Sequence, residues 1–206
     1  MVTRCSDCGV EASPTKTPRC LQCKTLMSLP PDASHFEVLG VPQGFSLTPA
    51  DLDAAFRQRS LQVHPDRFAG ASDKERRTAV ERSAALTTAH RVLKHPESRA
   101  LYLLKLANVG LPQTADPELL TELMEARETA ESSPEAKAAV LDRATTERGA
   151  LYARLADGFA LLEQDGALLD AARMTPLADL VMRIRYLTRL CEDLQGVRDE
   201  TPVATH

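Results

Sequence analysis

Long apolar runs are missing from this 206-residue sequence. None approaches the about 18–20 consecutive apolar residues that crossing a bilayer requires, so no membrane partner is expected. The stretch from Met1 to Cys5 has neither a signal-peptide apolar core nor an Arg/Ser-rich presequence, and the expected location is cytoplasmic. An excess of positive charge is also missing. Lys+Arg number 25 against 29 Asp+Glu, a formal net charge of −4, which does not favour a generic nucleic-acid binder. Strand signals are scarce, because alternation of β-branched and aromatic residues never persists beyond a few positions. Internal repeats and long low-complexity tracts are absent as well. With 43% hydrophobic and 26% charged residues, what remains is globular helical protein.

Three compositions follow one another. Residues 1–31 are rich in Cys, Pro, Thr and Lys and carry too little apolar material for a core. The next block, 32–108, holds four of the five Phe residues, and 116–198 is rich in Ala, Leu, Glu and Arg. The expected domains are a metal-binding segment at 1–31, a helical domain at 32–110, a helical bundle at 114–198 and a flexible tail at 199–206. Thr48-Pro49-Ala50-Asp51 reads as cap, first-turn proline and early acid, opening a helix to about Val63 with Leu52, Ala55, Phe56, Arg59 and Val63 on one face. Ser72 or Asp73 starts a second, with Ala85, Leu86, Ala89, Val92 and Leu93 as its buried stripe. His95-Pro96-Glu97 breaks it, and Glu97 to Leu106 forms a short helix. Three further helices follow. One starts at Asp116, one runs from Ser133 to about Leu162 with soft interruptions at Gly149 and Gly158, and a last one carries a seam of Leu177, Leu180, Ile184, Leu187, Cys191 and Leu194. Short connections between them make a small bundle.

Four of the five cysteines fall in the first 23 residues, as Cys5-x-x-Cys8 and Cys20-x-x-Cys23. Each pair on a tight turn offers two thiolates, and two such knuckles complete a tetrahedral four-sulfur site. With all four positions filled by protein the site is structural, and a segment this poor in apolar residues depends on that bond energy to fold. Zinc is the expected ion. Iron in a rubredoxin-like site is the lesser alternative, and disulfides or a redox pair the other. Cys191 reads as a core cysteine.

His64-Pro65-Asp66 directly follows the helix that ends at Val63. Pro65 stops that helix and leaves the tripeptide on an exposed helix–helix turn beside Arg67 and Phe68. Between residues 57 and 82 basic residues outnumber acidic ones by seven to four, a local positive patch in an acidic chain.

The order His35-Phe36-Glu37-Val38-Leu39-Gly40, amphipathic helix, His-Pro-Asp, second long helix resembles the J domain. That resemblance implies that His64, Pro65 and Asp66, with Arg57, Arg59 and Arg67, engage a chaperone ATPase and stimulate its hydrolysis without being catalytic themselves. Val63 departs from the Tyr many J domains carry there, at a position that mainly packs. No Gly/Phe-rich linker and no β-rich substrate domain follows. Instead the blocks HPDRFA at 64–69, RALYLLKL at 99–106, LMEARE at 123–128 and, more weakly, RIRYLTRL at 183–190 are similar to HscB, the J-type co-chaperone of iron–sulfur cluster assembly. The cysteine pairs resemble the extension of the animal mitochondrial members. The family resemblance implies an all-α fold of J domain and three-helix C-terminal bundle behind a four-cysteine zinc knuckle. It also implies an HscA/DnaK-type chaperone and an IscU-type scaffold as partners, a bacterial cytoplasmic setting, and a monomer or weak dimer. The scaffold face carried over by position is Leu120, Met124, Glu125, Glu128 and Tyr186; Thr121 departs from the apolar residue usual there. The competing readings are a general J co-chaperone whose bundle binds another client, and a zinc-ribbon nucleic-acid adaptor or a metal-dependent enzyme using His64 and Asp66. The enzyme is disfavoured because two residues flanking a proline make a poor metal or acid–base centre without further convergent ligands. The adaptor is disfavoured by four Lys+Arg and no aromatic residue in the first 31 positions.

Overall fold

Helix starts coincide with side chains able to cap them. In the computed structural model, which describes residues 2–114 and 116–196, Ser34 forms a reciprocal capping box with Glu37 at the head of α1 (His35–Leu39). Thr48 and Ser72 accept from Asp51 N and Glu75 N to open α2 (Pro49–Val63) and α3 (Asp73–Lys94). After α4 (Pro96–Leu106), Asp116, Ser133 and Asp170 cap α5 (Pro117–Ser132), α6 (Pro134–Gln164) and α7 (Ala171–Gln195). Proline stands in the first turn of α2, α5 and α6, where its missing N–H costs nothing. Among the described residues the only sheet is a two-residue antiparallel pair, β1 (Thr3–Arg4) with β2 (Glu11–Ala12), in register Thr3↔Ala12. The all-α expectation therefore holds. The expected tail at 199–206 lies outside the described residues.

The chain divides into two compact units, Met1–Gln43 with Leu47–Pro96, and Gly44–Ser46 with Glu97 onward. In the first, Phe36 and Leu39 of α1, Leu52 and Val63 of α2, and Leu86 and Leu93 of α3 are almost fully buried. Thr78, Ala79 and Arg82 extend the buried stripe of α3 towards its start, while Ala85, expected on it, is only half-buried. The N-terminal segment belongs to this same unit. Arg82, 5% exposed, donates from its guanidinium to the carbonyls of Met27 (2.7 Å) and Pro14 (2.9 Å). Burial depresses its pKa to about 10, with the neighbouring Arg59 adding to the effect.

The second unit takes in α4 as well as the expected bundle. Arg99 of α4 is 3% exposed, bonds Phe45 O at 2.8 Å, and lies over the Phe45 ring. That ring stacks on Phe159 of α6 with centroids 4.6 Å apart, and Glu163 accepts from the amides of Phe45 and Ser46. The interruptions expected at Gly149 and Gly158 do not occur, and α6 is continuous over 31 residues. Two glycines cost a helix about 1 kcal/mol each, and the burial of Ala144, Leu151, Leu155, Phe159 and Leu162 along one face outweighs that. The α7 seam is also displaced. Val181 and Leu190 are buried where Leu180 and Leu194 were expected, and those two are half-buried, because the buried face spans more than one residue per turn.

Candidate functional site

The end of α2 is set by Pro65. His64 leaves the helical region (φ −58°, ψ 130°), and Pro65–Phe68 forms a single 3₁₀ turn before α3 begins. His64 Nδ1 accepts from Asp66 N at 3.4 Å and stands 3.5 Å from the Asp66 carboxylate. Both side chains face solvent, 54% and 89% exposed, whereas the flanking Val63 and Phe68 are 3% and 1% exposed. An anchored residue on either side holds a polar loop outward, which suits recognition and offers no enclosed acid–base centre.

The three arginines expected beside the loop are not equivalent. Arg57 is exposed. Arg67 folds back to donate to Leu61 O at 2.7 Å, capping the end of α2. Arg59 is half-buried, its pKa lowered by that burial, and donates to Lys16 O at 3.3 Å. Its guanidinium lies against Gly40, the left-handed residue (φ +73°) that ends α1, where an added Cβ would collide with Nη2.

The four cysteines converge. Cys5 and Cys23 sulfurs are 3.5 Å apart, Cys8 and Cys20 are 3.6 Å apart, and all four lie within 4.8 Å of one another. A tetrahedral ion with metal–sulfur bonds of about 2.3 Å requires sulfurs about 3.8 Å apart, so the set fits a bound ion. Both knuckles contribute to one cluster, as a shared ion demands. Both turns close in the way such knuckles need: Gly9 N donates to Cys5 O, and Lys24 N to Cys20 O, with Gly9 and Lys24 both at positive φ. The Thr25 hydroxyl and amide hydrogen-bond to Cys23 and lower its pKa to about 6. At Cys8 a bond from the Val10 amide favours the thiolate, but burial and the three neighbouring sulfurs outweigh it and push the thiol up to about 12. Such crowding makes a fourth thiolate costly until a cation neutralises the cluster.

On α5, Leu119 is buried and Leu123 half-buried, while Leu120 and Met124 are 41% and 63% exposed. Glu125 and Glu128 are exposed on the same helix, and Tyr186 of α7, which packs against α5, is half-buried. Thr121 bonds back to Pro117 O at 3.0 Å. Arg183 bridges Glu122 and Glu147 at 2.9 and 2.8 Å, and Arg127 pairs with Asp193 at 2.6 Å. The glutamates of the expected face are thus distinct from those used to tie the bundle together.

Sequence reasoning missed the contacts that join the cysteine segment to α3. Lys74 Nζ donates to Ser6 and Asp7, both at 2.8 Å, Glu75 accepts from Leu26 N at 3.2 Å, and Arg82 binds two carbonyls of the segment. Only Arg82 left a trace in the sequence, as an arginine four residues before Leu86 on an otherwise apolar stripe.

The fold and the loop together define the class: a J-type co-chaperone. Family models agree, the DnaJ domain matching residues 34–102 and the HSCB C-terminal oligomerisation domain residues 115–195. Among curated proteins, the co-chaperone HscB homologue of Burkholderia multivorans is 37% identical over 166 residues, covering 78% of this chain and 91% of that protein. Its Vibrio vulnificus counterpart is 34% identical over 175 residues, covering 81% and 98%. Among solved structures, human co-chaperone HscB matches with a TM-score of 0.78 and 25% identity over 94% of this chain and 98% of that one. HscB from Vibrio cholerae matches with 0.64 and 32% over 80% and 96%. The chain belongs to the HscB co-chaperone family.

Proposed function

We propose that this protein acts in iron–sulfur cluster assembly, stimulating the ATPase of an HscA/DnaK-type chaperone and handing it an IscU-type scaffold in the bacterial cytoplasm. The observation that carries this reading is the loop, in which His64 and Asp66 stand exposed on a turn whose two flanking residues are buried. A partner's ATPase domain meets an imidazole and a carboxylate already oriented, so little ordering entropy opposes docking. Hydrolysis is the partner's chemistry; the loop's part is differential binding to the hydrolysis-competent state. Arg57 supplies charge to the approach at the exposed edge of α2, Arg67 stiffens the loop base, and Arg59 contributes from a half-buried position.

The bundle carries the client. Leu120 and Met124, one turn apart and exposed, form an apolar centre with Glu125 and Glu128 around it, and Tyr186 stands on the neighbouring helix. Apolar anchors within an acidic rim suit a partner surface with apolar tips and basic surroundings. Zinc is the ion proposed for Cys5, Cys8, Cys20 and Cys23, on the strength of four soft ligands in a closed tetrahedral set.

ATPase measurements with a DnaK-type chaperone, with and without purified scaffold, test both halves. His64→Gln is expected to abolish stimulation while scaffold binding persists. Leu120→Asp with Met124→Asp is expected to leave basal stimulation and to lose the scaffold's contribution and its binding. Full stimulation by His64→Gln would sink the chaperone reading. Intact scaffold binding in the double variant would favour a general J co-chaperone with another client.

A further inference from the structure

The outward side of the His-Pro-Asp loop has a use in the proposed function; its inward side has none yet. That inward side is Phe68, 1% exposed, which seats the 3₁₀ turn. Over its ring, 4.6 Å from the centroid, lies the guanidinium of Arg19. Arg19 belongs to the cysteine segment and immediately precedes Cys20. Its guanidinium is itself anchored to the second knuckle, Nη1 donating to Lys24 O at 3.0 Å, and its backbone forms an isolated bridge with Leu26. The second knuckle therefore projects Arg19 from a fixed origin. The rest of the segment is fastened to α3, the helix that leaves the loop, through Asp7 to Lys74, Leu26 N to Glu75, and the Met27 and Pro14 carbonyls to Arg82. A stand-alone metal knuckle needs none of these contacts. Together they hold both the loop and the start of the helix that follows it.

We propose that the cysteine segment braces the His-Pro-Asp loop and that Arg19, stacked on Phe68, is the positioning residue through which it acts. Metal occupancy of the four-thiolate site then sets how readily the loop presents itself to a chaperone ATPase. This rests on the ATPase-stimulating reading above. A cation over an aromatic face is attracted by the ring quadrupole, and at an exposed edge the attraction changes a local equilibrium by roughly two- to five-fold. When Phe68 lifts, His64 and Asp66 lose their common base, and apparent affinity for the partner falls with the fraction of seated loop. Without an ion, the Cys20–Cys23 turn loses its four-sulfur tie to the first knuckle and keeps the weaker bond from the Thr25 hydroxyl to Asp7 at 2.9 Å, so Arg19 is held from a looser origin.

The test uses the full-length, zinc-loaded protein with three readouts: bound zinc, hydrogen exchange, and the concentration giving half-maximal stimulation of a DnaK-type ATPase. The informative amides are those of Arg67, Ala69 and Ala71, which bond to His64 O, Asp66 O and Phe68 O. Arg19→Ala is expected to keep its zinc, to exchange these amides roughly two- to five-fold faster, and to need roughly two- to five-fold more protein at unchanged maximal rate. Arg19→Lys, which keeps a cation over the ring, is expected to move back towards the parent protein. Unchanged exchange in Arg19→Ala overturns the brace, and faster exchange with an unchanged half-maximal concentration overturns its role in stimulation. Should Arg19→Ala lose zinc or fail to fold, Phe68→Leu keeps an apolar plug without the ring, and its failure to reproduce the shift overturns the proposal equally. His64→Gln in parallel separates the two readings. If that variant still stimulates, the ATPase reading falls and exchange alone decides the brace.

Discussion

Asp53 of α2 shows how one side chain fastens the J-domain hairpin. Its carboxylate accepts from Lys94 Nζ at 2.9 Å and from His90 Nε2 at 2.7 Å, both on α3, and the His90 ring lies 4.5 Å from that of Phe56. Lys94 first, then His90, holds the Asp53 carboxyl below its ordinary 3.8. A depressed carboxylate adds stability above its unfolded value and loses it as pH falls through the folded one. The melting-temperature gap between the parent and Asp53→Asn is therefore expected to narrow as pH falls below about 3.8. Thermal melts at a series of acidic pH values check it, and a gap that does not narrow below about 3.8 would refute the assignment. The same scale shows where sequence reading stops. Arg59, Lys74 and Arg82 were all counted in the basic patch around the loop, yet Arg82 is buried on two carbonyls and Lys74 is held by Asp7. A residue's charge is legible in sequence, but the acceptor that consumes it lies up to 68 positions away.

Elements were legible wherever a cap announced them. Thr48, Ser72, Asp116 and Ser133 each begin a helix at the position the sequence suggested. What periodicity could not supply was the role of a residue inside a helix. Gly149 and Gly158 look alike in sequence and differ in space. A Cβ at Gly149 meets nothing within 4 Å, whereas one at Gly158 would come 2.5 Å from Leu177 Cδ2 on α7. Gly149→Ala is expected to stabilise the protein by about 0.5–1 kcal/mol, since it removes backbone freedom from the unfolded chain at no steric cost. Gly158→Ala is expected to forfeit that gain and to destabilise, because the buried Leu177 has to move. Denaturant titrations of the two variants read the difference directly. The α7 seam carries the same lesson: steps of 3 and 4 identified the helix and its face, but which leucines lie at the centre of that face depended on the neighbours.

For the whole molecule, the first unit joins a four-cysteine knuckle to a helical hairpin. The knuckle's own buried cluster is Cys5, Cys20 and Met27, with Cys8 and Ala12 packed beside it, so two of its three members belong to the four-thiol set. With an ion on the four thiolates, its fold would depend on that ion, and through Arg82 part of the hairpin would too. Removing the metal with a chelator is expected to lower the melting temperature and to speed amide exchange around Thr78–Arg82 of α3. Exchange in α6 and α7, which belong to the other unit, is expected to stay as it was. Uniform loss of protection across both units would contradict this.

The sequence by itself determined the local facts: helix boundaries through caps and prolines, the exposed turn at His64-Pro65-Asp66, the pairing potential of two C-x-x-C motifs, and the family. These follow from interactions spanning a few residues, or from patterns of residue type. Only the tertiary structure decided that α4 packs with the second unit, that Leu120 and Met124 are exposed while Leu119 is buried, and that Arg19 rests on Phe68. Those outcomes depend on which surfaces meet, and burial is a property of a pair of surfaces rather than of either sequence alone.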